Sequence, residues 1–268
     1  ERYKINYALF VPAVILFLTQ HPRINECDVS SLRKLFYGAS PIAEDLLKQA
    51  QKLFGCEFYG LYGLTETTGA GTCLQPIDHV GKKLRSCGKP YPGIKVEVRD
   101  ANGKPLPPEH VGEIVIQHGV LMKGYWNKEE ATKESIIDEW FYTGDAGYFD
   151  DEKFLYIHDR VKDMIVSGGE NVYPAEVENA LMAHENISDA AVIGIPDDKW
   201  GEAVKGIVVT NKELTDEEII DFVKTKIAGY KCPKSIDFAQ DLPRNPSGKI
   251  LRIELRAPYW EGKDRNIS

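Results

Sequence analysis

The chain has 268 residues, enough for one large domain or two smaller ones with cores of their own. Lys and Arg number 33 against 41 Asp and Glu, a formal net charge of −8, so no basic surplus exists for nucleic acid or an anionic membrane. Five scattered cysteines without a CxxC argue for free thiols in a reducing, cytoplasmic setting and against a disulfide framework or a zinc site.

The longest apolar run, Tyr7 to Leu18, is interrupted by Pro12 and too short to span a bilayer, so no transmembrane segment is expected and the run reads as buried core. A strand is predicted over Leu32 to Tyr37. Ser40 as N-cap and Pro41 as first helical residue predict a helix whose apolar residues recur at helical spacing from Ile42 to Phe54, ended by Gly55. Glu57 to Tyr62 is the next strand. Strand, helix, strand predicts a βαβ unit, with Tyr62 to Glu66 in the loop at the carboxyl end of its second strand, where such sheets bind ligands.

From about Ile77 to Ile157 the texture changes. Gly88–Lys89–Pro90, Pro92–Gly93, Asn102–Gly103 and Pro107–Pro108 punctuate short alternating runs such as Ile94 to Val98 and Glu113 to Gln117. These predict antiparallel strands in a small barrel or sandwich, interrupted by a helix near Glu129 to Ile136. A third region follows a boundary near Asp159 to Asp163. It holds a helix from Pro174 to about Ala183, strands at Ala190 to Ile195 and Gly206 to Val209, and a helix with a Thr215/Glu218 capping box that runs to near Gly229.

Several short segments can carry chemistry. At Tyr62–Gly63–Leu64–Thr65–Glu66 an aromatic can cover a purine, Thr65 can donate to a phosphate and Glu66 can hold Mg²⁺; Gly60 and Gly63 allow close approach of a ligand. An ordinary strand-to-loop turn with a surface Glu fits the same residues. Asp145, in Thr143–Gly144–Asp145, suits a ribose diol because one carboxylate accepts from two hydroxyls, although a Gly-Asp turn also explains it. Arg160 reads as a second ribose or phosphate contact or as a solvated strand end. Gly168 and Gly169 precede a Pro-started helix, and a mere connector rarely needs both. Lys249 lies in Pro243–Arg244–Asn245–Pro246–Ser247–Gly248–Lys249, a loop that presents a cation; a solvated surface lysine is the plain alternative.

In their order and spacing these segments resemble the adenylate-forming superfamily of acyl-CoA synthetases, luciferases and peptide-synthetase adenylation domains, over roughly residues 30 to 256. The resemblance implies an α/β plus α+β fold: the C-terminal part of a large α/β adenylation domain (1–76), a β-barrel-like subdomain that completes it (77–160), and a small mobile α+β domain (161–268). Gly38, Ala39 and Ser40 then match the adenine-side loop. Tyr62 stacks on adenine beside Gly63, Thr65 binds the α-phosphate and Glu66 coordinates Mg²⁺. Asp145 and Arg160 match the ribose ligands, Lys162 the hinge and Lys249 the catalytic lysine, with Gly168 and Gly169 lining the passage for the pantetheine arm of CoA.

Leu64 and Tyr142 depart from the peptide-synthetase pattern of Pro and Arg at these places, and Gly168 to Glu178 is similar to fatty- and aryl-CoA ligases. The implied activity is an acid–thiol ligase: carboxylate plus ATP gives acyl-AMP and pyrophosphate, and the acyl group passes to CoA. A carrier-protein ligase and a non-catalytic nucleotide-binding relative are the alternatives. The family's Ser/Thr/Gly-rich phosphate loop has no match here, and the chain opens on Glu1 without Met or a capped element. The expectation is a fragment of a longer enzyme, inactive by itself. Its last residues, Asn266–Ile267–Ser268, are not a peroxisomal address.

Overall fold

The structure, a computed structural model, describes residues 2–245 and 249–261. Expectations about Glu1, Pro246–Ser247–Gly248 and Asn266–Ile267–Ser268 lie outside those residues. The chain divides into two units, Glu1–Ile157 and His158–Ser268.

In the first unit β1 (Tyr7–Phe10), α1 (Pro12–Gln20), β2 (Lys34–Gly38), α2 (Glu44–Phe54) and β3 (Glu57–Tyr62) precede β4 (Thr72–Leu74) and β5 (Lys89–Pro90). The strands lie in chain order, β1, β2 and β3 parallel, then β4 and β5 antiparallel. The predicted βαβ unit is therefore present. Leu47, Ala50 and Phe54, at helical spacing on α2, pack with Ile15, Leu35 and Phe58. Gly55 ends α2 at φ 58°, a left-handed conformation that glycine adopts without steric cost.

Two expectations fail here. The helix starts at Glu44, with Ala43 as a cap that makes no side-chain bond, and not at Ser40–Pro41. Ala39 at φ 68° and Ala43 in extended geometry keep that stretch out of helical dihedrals, leaving Gly38 to Pro41 as a loop. Glu44 and Asp45 instead place carboxylates at the positive end of the helix. The run from Tyr7 to Leu18 is not uniformly buried: Pro12 and Ile15 are, whereas Tyr7, Leu9, Val11, Val14, Leu16 and Phe17 are exposed. Strand alternation on β1, which lies at the sheet edge, directs Tyr7 and Leu9 to its more exposed face.

Next come β6 (Lys95–Arg99), β7 (Gly112–Gln117), α3 (Glu129–Ser135), β8 (Ile136–Ile137), β9 (Trp140–Phe149) and β10 (Leu155–Arg160). Their order is β10-β9-β7-β6, with β8 on β9. The barrel-like expectation is corrected in one respect. A ring requires the outer strands to bond each other, and among the described residues β6 pairs with β7 and the sheet stays open. Val98, Ile114, Ile116 and Leu155 form its core together with Tyr62 from β3.

The second unit contains β11 (Ile165–Ser167), β12 (Glu170–Val172), α4 (Pro174–Met182), β13 (Ile187–Asp197), β14 (Gly201–Thr210), α5 (Asp216–Lys224), β15 (Ser235–Phe238) and α6 (Arg252–Trp260). Strand order is β12-β11-β14-β13, with β15 parallel on β14. Val177, Leu181, Ile219 and Val223 pack onto Val192, Val204 and Val208. The capping box forms: Thr215 Oγ1 accepts from Glu218 N and Thr215 N donates to Glu218 Oε2. The helix ends at Lys224, short of Gly229, because Thr225 N and Lys226 N turn back to Phe222 O and Val223 O in tighter i→i+3 bonds. Among the described residues no helix is long and apolar enough to cross a membrane.

Candidate functional site

Leu61 of β3 lies against Gly38 of β2, so the loop after Gly38 and the loop after Tyr62 leave adjacent carboxyl ends of parallel strands. The contact is close: a Cβ on Gly38 would stand 2.5 Å from Leu61 O. Ala39 adopts φ 68° immediately after it. Gly38, Ala39 and Ser40 thus form one lip beside the Tyr62 loop.

That second loop is a tight turn. Thr65–Thr67 is a single 3₁₀ turn, and fully buried Thr67 accepts from Leu64 N at 3.0 Å and donates to Leu64 O at 3.1 Å. Gly69 N also donates to Leu64 O, which folds the chain back over Gly63. Gly63 is needed because a Cβ there would overlap the carbonyl of Gly69, and Gly60 because its Cβ would meet the Tyr37 hydroxyl at 2.9 Å. What comes close to both glycines is this chain itself. Gly63→Ala should therefore destabilise the first unit by about 1–3 kcal/mol through overpacking. Urea denaturation checks this, and an unchanged midpoint would mean that the turn has room to relax.

Thr65 is exposed at the turn and Glu66 half-buried. Glu66 is held at both ends, its backbone carbonyl by Met122 N at 2.7 Å and its Oε1 by the Tyr125 hydroxyl at 2.9 Å. Burial, and then its bond to Glu66, push the Tyr125 phenol up. Among the described residues no three His, Cys, Asp or Glu side chains group into a metal cage. One oriented carboxylate suits a Mg²⁺ that travels with phosphates and keeps most of its waters.

Tyr62 is buried, 8 % exposed, and its hydroxyl donates to Asp145 Oδ2 at 2.9 Å. Burial and next the Asp145 charge push its phenol well up. Asp145 follows Gly144, at φ 70°, on β9. Its own N–H donates to Thr143 Oγ1, the Thr143 hydroxyl donates to Ile114 O at 2.7 Å, and Gly144 N donates to Glu113 Oε1 at 2.9 Å. Burial pushes the Glu113 carboxyl up, opposed by that N–H. Thr143, Glu113 and Tyr125 are supports that the sequence reading missed. Thr143 was visible in the Thr-Gly-Asp triplet, but Glu113 and Tyr125 carry no local signal.

The remaining expected residues belong to the second unit. Arg160 ends β10, and its N–H donates to Asp159 Oδ1 at 2.7 Å. Lys162 sits in the 3₁₀ turn Val161–Asp163. Gly168 and Gly169, at φ 63° and 85°, form the two-residue turn of the β11–β12 hairpin. Positive φ at both central residues is what such a turn demands, so the pair has a local reason that the sequence reading had denied it. A Cβ on Gly168 would also meet the Trp200 ring at 2.6 Å. Lys249 is exposed, and its backbone closes a loop: Asn245 N donates to Lys249 O and Lys249 N to Asn245 Oδ1, both at 2.9 Å.

The structure therefore groups Gly38–Ser40, Tyr62–Glu66 and Asp145 in one unit, and Arg160, Lys162, Gly168, Gly169 and Lys249 in the other. The first group offers a hydroxyl, an oriented carboxylate and a second carboxylate fixed by a buried phenol, a set able to hold phosphate, a hard cation and a diol.

The family model described as AMP-binding enzyme matches residues 1–126, and that of the AMP-binding enzyme C-terminal domain matches 176–249. A fatty acid–[acyl-carrier-protein] ligase of Streptomyces coeruleorubidus is 41% identical over 268 residues, 98% of this chain and 52% of that protein. The long-chain-fatty-acid–CoA ligase FadD13 of Mycobacterium tuberculosis is 44% identical over 93% of this chain and 49% of its own length. Among solved structures, o-succinylbenzoate CoA synthetase from Bacillus subtilis with its acyl-adenylate intermediate superposes with a TM-score of 0.82 at 34% identity, over 99% of this chain and 52% of that one. The chain spans about half the length of the curated relatives it matches.

Proposed function

We propose, from the premise that this chain belongs to the adenylate-forming enzymes of the AMP-binding family, that the complete protein is an ATP-dependent acyl-CoA synthetase acting on a fatty or aryl carboxylic acid. The observation that carries the reading is the 2.9 Å bond from Tyr62 to Asp145, which joins the purine-side loop to the diol-binding carboxylate across 83 residues of sequence. Adenine lies against the Gly38–Ser40 lip and Tyr62, the ribose hydroxyls donate to Asp145 with Arg160 beside them, and Thr65 donates to the α-phosphate. Glu66 holds Mg²⁺, which when bound neutralises phosphate charge.

The substrate carboxylate attacks the α-phosphorus, the bond to pyrophosphate breaks, and acyl-AMP forms. Lys249 opposes the negative charge that builds on the phosphoryl oxygens. The CoA thiolate then attacks the acyl carbon and AMP leaves with the bonding pair. Gly168 and Gly169 border the path of the pantetheine arm, and Lys162 is the hinge between the two half-reactions. The break between compact units at Ile157/His158, a few residues before Lys162, supports a hinge there. Lys162→Pro should block thioester formation while leaving adenylation active; unchanged thioester formation would remove the hinge from this position. The free cysteines agree with a cytoplasmic enzyme. By itself the chain is expected to bind AMP weakly and to catalyse nothing.

A second reading has one observation in its favour. The Streptomyces relative, aligned over nearly the whole chain, is named for loading a carrier protein. AMP release by the complete protein, with ATP, Mg²⁺ and a panel of fatty and aryl acids, separates the readings. Turnover that needs both an acid and CoA supports the synthetase. Turnover that needs a carrier protein moves the assignment to the second reading, and no turnover with either acceptor refutes both.

A further inference from the structure

Arg252 opens α6, three residues after Lys249, and its side chain is only 14% exposed. Its guanidinium grips Glu178 of α4 with two atoms, Nη2 to Oε2 at 2.7 Å and Nε to Oε1 at 3.2 Å. Its Nη1 stands 3.6 Å from both Asp159 Oδ1 and Asp163 Oδ2, the carboxylates that flank the Lys162 turn. Each partner is anchored in turn. Glu178 Oε1 accepts from Val192 N of β13 at 2.8 Å. Asp159 accepts from Arg160 N at 2.7 Å and from Ala175 N, at the start of α4, at 2.8 Å. One turn later Arg256 lies 3.7 Å from Asp163.

A single planar fork thus joins the turn around Lys162, helix α4 and the start of α6, three residues after Lys249. Leu251 N donates to Pro243 O at 2.8 Å, so the base of that loop is stitched directly beside Arg252. Surface ion pairs between long side chains contribute little and hold little. This one is largely withdrawn from water and bidentate, the geometry in which Arg fixes orientation and Lys cannot replace it.

We propose that Arg252 is a positioning residue for Lys249, tying the start of α6, three residues after that lysine, to helix α4 and to Asp163 on the far side of the Lys162 hinge. The proposal rests on the assignment of Lys249 to adenylation. The distance at stake is small but sufficient, since a misplacement of about 1 Å can cost roughly 10²-fold in rate.

The test compares Arg252→Lys, Arg252→Ala and Lys249→Ala in the complete protein. It reads ATP–pyrophosphate exchange, thioester formation from supplied acyl-AMP, the thermal midpoint, and the rate at which acetic anhydride labels Lys249. Arg252→Lys should lower kcat for adenylation by roughly 10²-fold with KM for ATP near its original value, keep thioester formation, and speed the labelling of Lys249. Arg252→Ala should do the same more severely; should it fail to fold, Arg252→Lys alone decides. Unchanged adenylation and labelling in Arg252→Lys overturns the proposal. So does an equal loss of both half-reactions with a lowered midpoint, since that is what a purely structural ion pair would give. If Lys249→Ala keeps full adenylation, the functional reading fails, and the labelling rate still decides whether Arg252 positions that loop.

Discussion

Lys249→Ala in the complete protein should lower acyl-adenylate formation by roughly 10²–10³-fold, the usual loss when one preorganised charge donor to a transition state is removed. Thioester formation from supplied acyl-AMP should continue at its original rate, because in that step the leaving group is AMP and the phosphorus is not attacked. The backbone closure of the loop should be kept. The lysine side chain is exposed, and the bonds that close its loop use its backbone N–H and carbonyl, which Ala retains. Pyrophosphate exchange, thioester assay and thermal denaturation on the same preparation check all three statements. Equal loss in both half-reactions would remove the division of labour assigned to this residue.

Asp145→Ala should be costly in two separable ways. It removes the acceptor of the Tyr62 hydroxyl, which belongs to a residue only 8 % exposed. An unsatisfied buried hydroxyl costs about 1–3 kcal/mol of stability. It also removes the acceptor for two ribose hydroxyls, and hydrogen bonds to a charged group are worth about 1.5–3 kcal/mol each, so AMP affinity should fall at least tenfold. Asp145→Asn keeps an oxygen for Tyr62 and should recover most of the stability but only part of the affinity. Urea denaturation and AMP calorimetry measure the two effects. If Asn restores both equally, the charge is not what the nucleotide uses.

Beside Asp145, the supports Glu113 and Thr143 show why a motif read locally undersells its residue. Thr-Gly-Asp explains itself as a turn, and Gly144 does adopt positive φ. The turn is held in place because Glu113 Oε1 and Ile114 O, some thirty residues away, accept from the Gly144 N–H and the Thr143 hydroxyl, and because Tyr62 fixes its carboxylate. The converse happened at Gly168 and Gly169. Their pairing suggested a ligand, and the hairpin explains it without one.

Local physics was legible throughout. Apolar spacing placed α2 and apolar runs placed the strands on either side of it; Gly55, Pro174 and the Thr215/Glu218 box marked helix ends because dihedral preference and capping act within four residues. Six residues of strand followed by glycine and polar side chains were enough to put Tyr62 to Glu66 at the carboxyl end of a parallel strand. The true start of α2, the exposure of Tyr7 to Phe17 and the open edge of the second sheet were not legible. Each depends on which surface is covered and which strand pairs with which, and periodicity is silent on both. The Tyr125–Glu66 bond spans 59 residues and the Arg252–Glu178 bond 74. Burial makes those contacts strong and chain closure brings them together, so only the tertiary structure could decide that a phenol orients Glu66 and that a guanidinium ties the start of α6 to α4.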